Sequence, residues 1–124
     1  MSMEPIKGIV ETYAKGWGKE IWITNNELYC GKILKFNKGA EFSMHYHIKK
    51  EETWAVIKGK LLLKYYDLTN AEEKQMILRV GETVHLKPCI PHKLIAMEES
   101  SVFEVSTQHF EEDSYRVQKG DSQK

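Results

Sequence analysis

The length of the apolar runs is what most restricts the fold of this chain. Eight stand out: IWIT (21–24), LYCGKILKF (28–36), TWAVIKG (53–59), KLLLKYYDL (60–68), QMILRV (75–80), TVHLK (83–87), KLIAM (93–97) and SVFEVST (101–107). They alternate or are continuously apolar. They are rich in β-branched and aromatic residues, which suit a pleated, half-buried surface. Helical periodicity is scarce. Turn signals separate the runs at Asn25-Asn26, Asn37-Lys38-Gly39, Lys58-Gly59-Lys60, Gly81-Glu82 and Pro88-Cys89-Ile90-Pro91. Short strands at regular spacing predict an all-β sandwich or barrel. The stretch TNAEEKQ (69–75) reads as a hairpin loop with room for one helical turn. From Glu111 the chain turns polar, EEDSYRVQKGDSQK, and is expected to leave the body of the fold. With 124 residues, no internal repeat and no linker, residues 1–124 read as one domain, with a core over 15–110 and a tail over 111–124.

Charge narrows the function classes. Lys plus Arg is 18 and Asp plus Glu is 18. With no basic excess, neither nucleic acid nor an anionic membrane is an expected partner. The opening MSMEPIKGIVETY lacks the basic flank and apolar stretch of a signal peptide. No apolar run approaches the roughly 20 residues of a membrane span. The two cysteines, Cys30 and Cys89, are therefore expected as free thiols in a reducing cytoplasm.

The stretch MHYHIKKEE (44–52) is the chemical signal. On a strand, residues i and i+2 share a face, so His45 and His47 aim at one point and Tyr46 at the other side. On a helix the same pair diverges by about half a turn. A carboxylate from Glu51 or Glu52 can reach that point from the strand that runs back. Imidazole and carboxylate together suit first-row divalent metals. The plain alternative is a pair of surface histidines on an amphipathic edge strand. A third imidazole, His92, follows the Pro88–Pro91 turn on a separate β-turn-β unit.

Residues 39–59, GAEFSMHYHIKKEETWAVIKG, resemble the first cupin motif, with Gly39, His45, His47, Glu52 and Gly59 on its fixed positions. Glu52, not Glu51, keeps both spacings. Residues 81–92, GETVHLKPCIPH, are similar to the second motif through Gly81, Pro88 and His92, with Ile90 or Pro91 in place of the usual turn glycine and a turn one residue shorter. The resemblance covers about residues 15–110. It implies a double-stranded β-helix, a jelly-roll barrel, and metal ligation by His45, His47, Glu52 and His92. The implied cofactor is a divalent first-row ion: Zn, Mn, Fe, Ni or Co. Four protein ligands leave open positions for substrate, as a catalytic site needs.

The segment KGWGKEIWITNNELYCGKILKFNKGAEFSMHYH further resembles the opening of the isomerase domain of type II mannose-6-phosphate isomerases. Trp17-Gly18, Lys32 and Glu52-Thr53-Trp54 carry that resemblance, and VFEVST (102–107) is similar to its final strand. This sequence departs where an arginine follows the family's histidines, in a loop two residues longer, and in Lys93 where the family has Arg. The implied activity is aldose–ketose isomerisation of a sugar or sugar phosphate, with Glu104 as candidate general base and Lys32, Trp54 and Lys93 as candidate substrate contacts. Alternation alone does not say which face of the last strand, Glu104 and Ser106 or Phe103 and Val105, looks inward. Each of Lys32, Lys93 and Glu104 also reads as a solvated surface group, and Trp54 equally as core. His85 reads as a packed or surface histidine, His109 as exposed near the end of the last strand, and Cys89 as a small turn residue. Lys49, Lys50, Glu51 and Glu111 to Asp113 read as solvated loop charges. An Fe(II)-dependent dioxygenase shares the same ligand set, and a non-catalytic sugar-binding module is a third reading. Exposed edge strands make a homodimer plausible.

Overall fold

The computed structural model describes residues 3–124; Met1 and Ser2, the start of the segment read for a signal peptide, lie outside the described residues. Among the described residues eleven strands form two antiparallel sheets packed face to face: β1 (Glu11–Lys15), β2 (Gly18–Asn25), β3 (Cys30–Phe36), β4 (Met44–Tyr46), β5 (Glu52–Lys58), β6 (Lys60–Asp67), β7 (Glu72–Arg79), β8 (Thr83–Leu86), β9 (His92–Ala96), β10 (Ser100–Ser106) and β11 (Tyr115–Gln118). One sheet runs β1-β2-β3-β10-β5-β8 and the other β11-β4-β9-β6-β7. This is the predicted small jelly-roll barrel. No helix of the described residues is long and apolar enough to cross a membrane. Both cysteines are free.

Each predicted run seeds a strand, because alternation lets one face enter the core. Leu34, Phe36, Trp54, Val56, Leu61, Leu63, Leu94 and Val102 are buried between the sheets. Gly59 ends β5 in a left-handed turn (φ 85°), where a Cβ would stand 2.2 Å from Ser100 Oγ and 2.4 Å from the Glu99 carbonyl oxygen. Only glycine fits both demands.

Two expectations need correction. The 69–75 stretch is mostly strand, since Asp67 pairs with Glu72 and leaves a four-residue turn, 68–71. Asp67 closes that turn with its carbonyl and carboxylate, accepting from the Ala71 (2.8 Å) and Thr69 (2.9 Å) amides. Nor does the chain leave the fold at Glu111. Residues Glu111–Asp113 form a 3₁₀ turn, and β11 then pairs along β4. Polarity misled here because the segment satisfies backbone groups rather than filling the core.

Candidate metal centre

β4 and β9 lie side by side with His45 opposite His92. His47 follows two residues after His45 on the same parity. The ligand nitrogens of the three histidines all lie within 4.8 Å of one another. Glu52 comes from β5 in the facing sheet, its Oε2 3.5 Å from His47 Nε2 and 3.9 Å from His92 Nε2.

The outer hydrogen bonds fix the tautomers. His45 Nδ1 lies 2.7 Å from the Ser43 carbonyl, His47 Nδ1 2.8 Å from the Asp113 carbonyl, and His92 Nδ1 2.8 Å from the Ile90 carbonyl. A carbonyl can only accept, so each Nδ1 carries the proton and each Nε2 offers its lone pair to the centre. His92 is 2 % exposed, and its Nε2 is buried with no hydrogen-bond partner. A buried acceptor left unpaired costs about 1–3 kcal/mol. A cation at the centre supplies what that nitrogen lacks. Burial holds all three imidazoles below their ordinary pKa, with His92 at about 3, so they stay neutral and ready to ligate. Burial, reinforced by the charge of Glu104, pushes Glu52 up to about 8, and a cation would offset both effects. The residues present fit a divalent first-row ion.

A cavity of about 360 Å³ opens from this centre, and Lys32, Lys50, Trp54, Glu104 and His109 line it. Lys32 on β3, Glu104 on β10 and Trp54 on β5 stand in one row, because Glu104 pairs with Lys32 on one side and Trp54 on the other. The inward face of β10 is therefore the Val102–Glu104 face. Trp54 donates Nε1–H to Glu52 Oε1 at 2.7 Å and anchors that carboxylate. Lys50 Nζ sits 2.6 Å from Glu104 Oε2, and both side chains are buried. Burial alone would raise the Glu104 carboxyl, but the Lys50 and Lys32 ammoniums prevail and hold it at about 2. Lys32 is 3.4 Å from Glu20 and rests over the Trp22 ring at 4.0 Å.

The structure brings the candidate ligands His45, His47, Glu52 and His92 and the candidates Lys32, Trp54 and Glu104, which also read as surface or core residues, to one cavity. Lys93 is not part of it: it lies on the other face of β9 from His92, and its Nζ pairs with Glu41 at 3.2 Å. Lys50 and Asp113, read as solvated, are buried instead. Lys50 shares the parity of Glu52 and Trp54, a signal legible in KKEETW. Asp113 had no such signal. His109, read as exposed, lines the cavity 3.4 Å from Lys50. In the turn before His92 the left-handed position falls at Cys89 (φ 73°), one or two residues before the Ile90 or Pro91 that the motif assigned. Glu51 stays outside and pairs with His85.

A profile of the Cupin domain family matches residues 32–107. No curated protein sequence matches the chain. Among solved structures, the capsular polysaccharide assembling protein CapF from Staphylococcus aureus is similar, with 13 % identity and a TM-score of 0.76 over 90 % of this chain and 33 % of that one. Oxalate decarboxylase from Bacillus subtilis (15 % identity, TM-score 0.77, 92 % of this chain and 33 % of that one) is also similar. So is that of Lactobacillus farciminis (16 %, 0.77, 92 % and 37 %). The chain spans about a third of the length of these neighbours, and at such identities they share its fold.

Proposed function

Because this chain belongs to the Cupin domain family, we propose that it is a metal-dependent enzyme that isomerises a sugar or sugar phosphate between aldose and ketose. The observation that carries this reading is a buried carboxylate, Glu104, paired with Lys50 at 2.6 Å in the same cavity as the three clustered imidazoles. His45, His47, Glu52 and His92 would hold the ion. When bound, it would polarise the substrate's carbonyl and hydroxyl oxygens.

Glu104 is the base in this reading. Its carboxylate takes the proton from the carbon beside the carbonyl and returns it to the neighbouring carbon, while the hydroxyl proton passes between the two oxygens. Lys50 keeps Glu104 ionised and aimed inward. Paired this closely, Glu104 is a weak base. A substrate phosphate that draws the Lys32 or Lys50 ammonium to itself raises its basicity at the moment of binding. Trp54, expected as a substrate contact, is 1 % exposed and acts instead through its hydrogen bond to Glu52. Lys93, engaged with Glu41 outside the cavity, has no part in it.

The test is turnover of an aldose phosphate panel, mannose 6-phosphate included, without oxygen and after loading with zinc, manganese or cobalt. Isomerisation under those conditions supports the reading. Activity that requires iron and consumes oxygen would replace it with a dioxygenase. Ligand-dependent stabilisation without turnover would replace it with a binding module.

A further inference from the structure

The segment 43–50 carries two metal ligands and the cavity ammonium Lys50, yet it has little sheet of its own. On one side β4 pairs with β9 only at His45 and His92. The other side is held by the C-terminal segment along its whole length. Asp113 is 2 % exposed. Its carboxylate accepts three consecutive backbone N–H groups: Oδ1 from Ile48 (2.9 Å) and Lys49 (3.1 Å), Oδ2 from Lys49 (3.1 Å) and Lys50 (3.0 Å). Its carbonyl takes the Nδ1–H of His47. Next, β11 pairs Tyr115 with Tyr46 and Arg116 with His45. Finally Gly120 packs so closely that a Cβ there would stand 2.3 Å from the Ser43 amide nitrogen. Asp121 and Glu41 then exchange hydrogen bonds in both directions, 2.8 and 3.0 Å.

We infer that the C-terminal segment is a working part of the metal centre and that Asp113 is its positioning residue. One side chain fixes both the orientation of His47, through the backbone carbonyl that must stay in place, and the path of the chain from His47 to Lys50. Removing the carboxylate leaves three buried or half-buried N–H groups without their acceptor, so the turn relaxes and carries His47 and Lys50 with it. The inference rests on the metal reading of the three histidines but not on the isomerase reaction.

The test reads metal rather than turnover. Zn²⁺ affinity is measured by competition with a chromophoric chelator, and the visible spectrum of the Co²⁺-loaded protein reports ligand geometry. Asp113→Ala should bind Zn²⁺ roughly 10–100-fold more weakly. Its Co²⁺ spectrum should change while the chelated protein still melts cooperatively. Asp113→Asn keeps one acceptor oxygen and should fall between the two. Wild-type affinity and spectrum in a folded Asp113→Ala would overturn the inference. Should Asp113→Ala not fold, Asp113→Asn decides: weakened binding supports the role, unchanged binding overturns it. A wild type that takes up no Zn²⁺ removes the metal reading and this inference together. A metal-binding protein that isomerises nothing removes only the reaction.

Discussion

Three imidazoles that each spend Nδ1–H on a backbone carbonyl have one thing left to offer, the Nε2 lone pair, and all three aim it at one point. His92 is the most committed, since its Nε2 is buried and unpartnered. His92→Ala should lower metal content from near stoichiometric to a small fraction, read by elemental analysis, while the barrel still folds. Full retention would remove His92 from the centre. In the proposed isomerisation Glu104 has a different task, that of the base. Glu104→Gln keeps size and hydrogen bonding but cannot take a proton, so isomerase turnover should drop by roughly 100-fold or more. Metal content should stay unchanged. Equal turnover would pass the base role to another group. Of the candidate ligands, the His-x-His spacing and the motif glutamate were readable in the sequence. That Glu104 faces inward was not, because strand alternation divides residues into two faces without naming the buried one.

Among the strands, the registers convert sequence spacing into a site. β3, β10 and β5 set Lys32, Glu104 and Trp54 in one row. At the end of β5 the chain turns into β6 at Gly59, packed against Ser100 and Glu99. Gly59→Ala forces a Cβ against Ser100 and Glu99 in a left-handed backbone. It should cost about 2–4 kcal/mol of stability. Urea denaturation would measure this, and a loss within experimental error would mean that the turn can relax. Eight of the eleven strands coincide with apolar runs, and β4 with the His-x-His stretch. β1 and β11 escaped because their residues stay exposed: neither strand buries a side chain, so no alternation marks them. The strand β11 exists because β4 needs an edge partner, a requirement that resides in residues 44–46 and not in residues 115–118.

For the molecule as a whole, the buried imidazoles set a pH dependence. Burial lowers the folded-state pKa of His45, His47, His92 and His109, the last to about 4. The unfolded chain takes up those protons near 6.5, before the folded one does, so stability should fall as pH drops below about 6.5. Glu104, held at about 2, adds a further loss below about 4.5. Glu52, raised to about 8, works the other way: its contribution is full below about 4.5 and declines as pH rises to 8. Four imidazoles against one carboxyl predict a melting temperature for chelated protein that falls between pH 6.5 and pH 4. A flat or rising melting temperature there would contradict the burial of these groups. Metal added at 100 times its Kd should stabilise the fold by about 2.7 kcal/mol at neutral pH.

Local pattern was enough to decide that the chain builds short strands, closes them with glycine turns and carries a cluster of metal-type ligands, because strand periodicity and ligand spacing are properties of neighbouring residues. It could not decide that Lys50 pairs with Glu104, that Lys93 is engaged elsewhere, or that Asp113 holds His47. Those pairings join residues that are tens of positions apart, and what made them favourable is the desolvation each group undergoes once the two sheets close. Burial decides whether a lysine is a solvated charge or a cavity cation, and burial is a property of the assembled barrel.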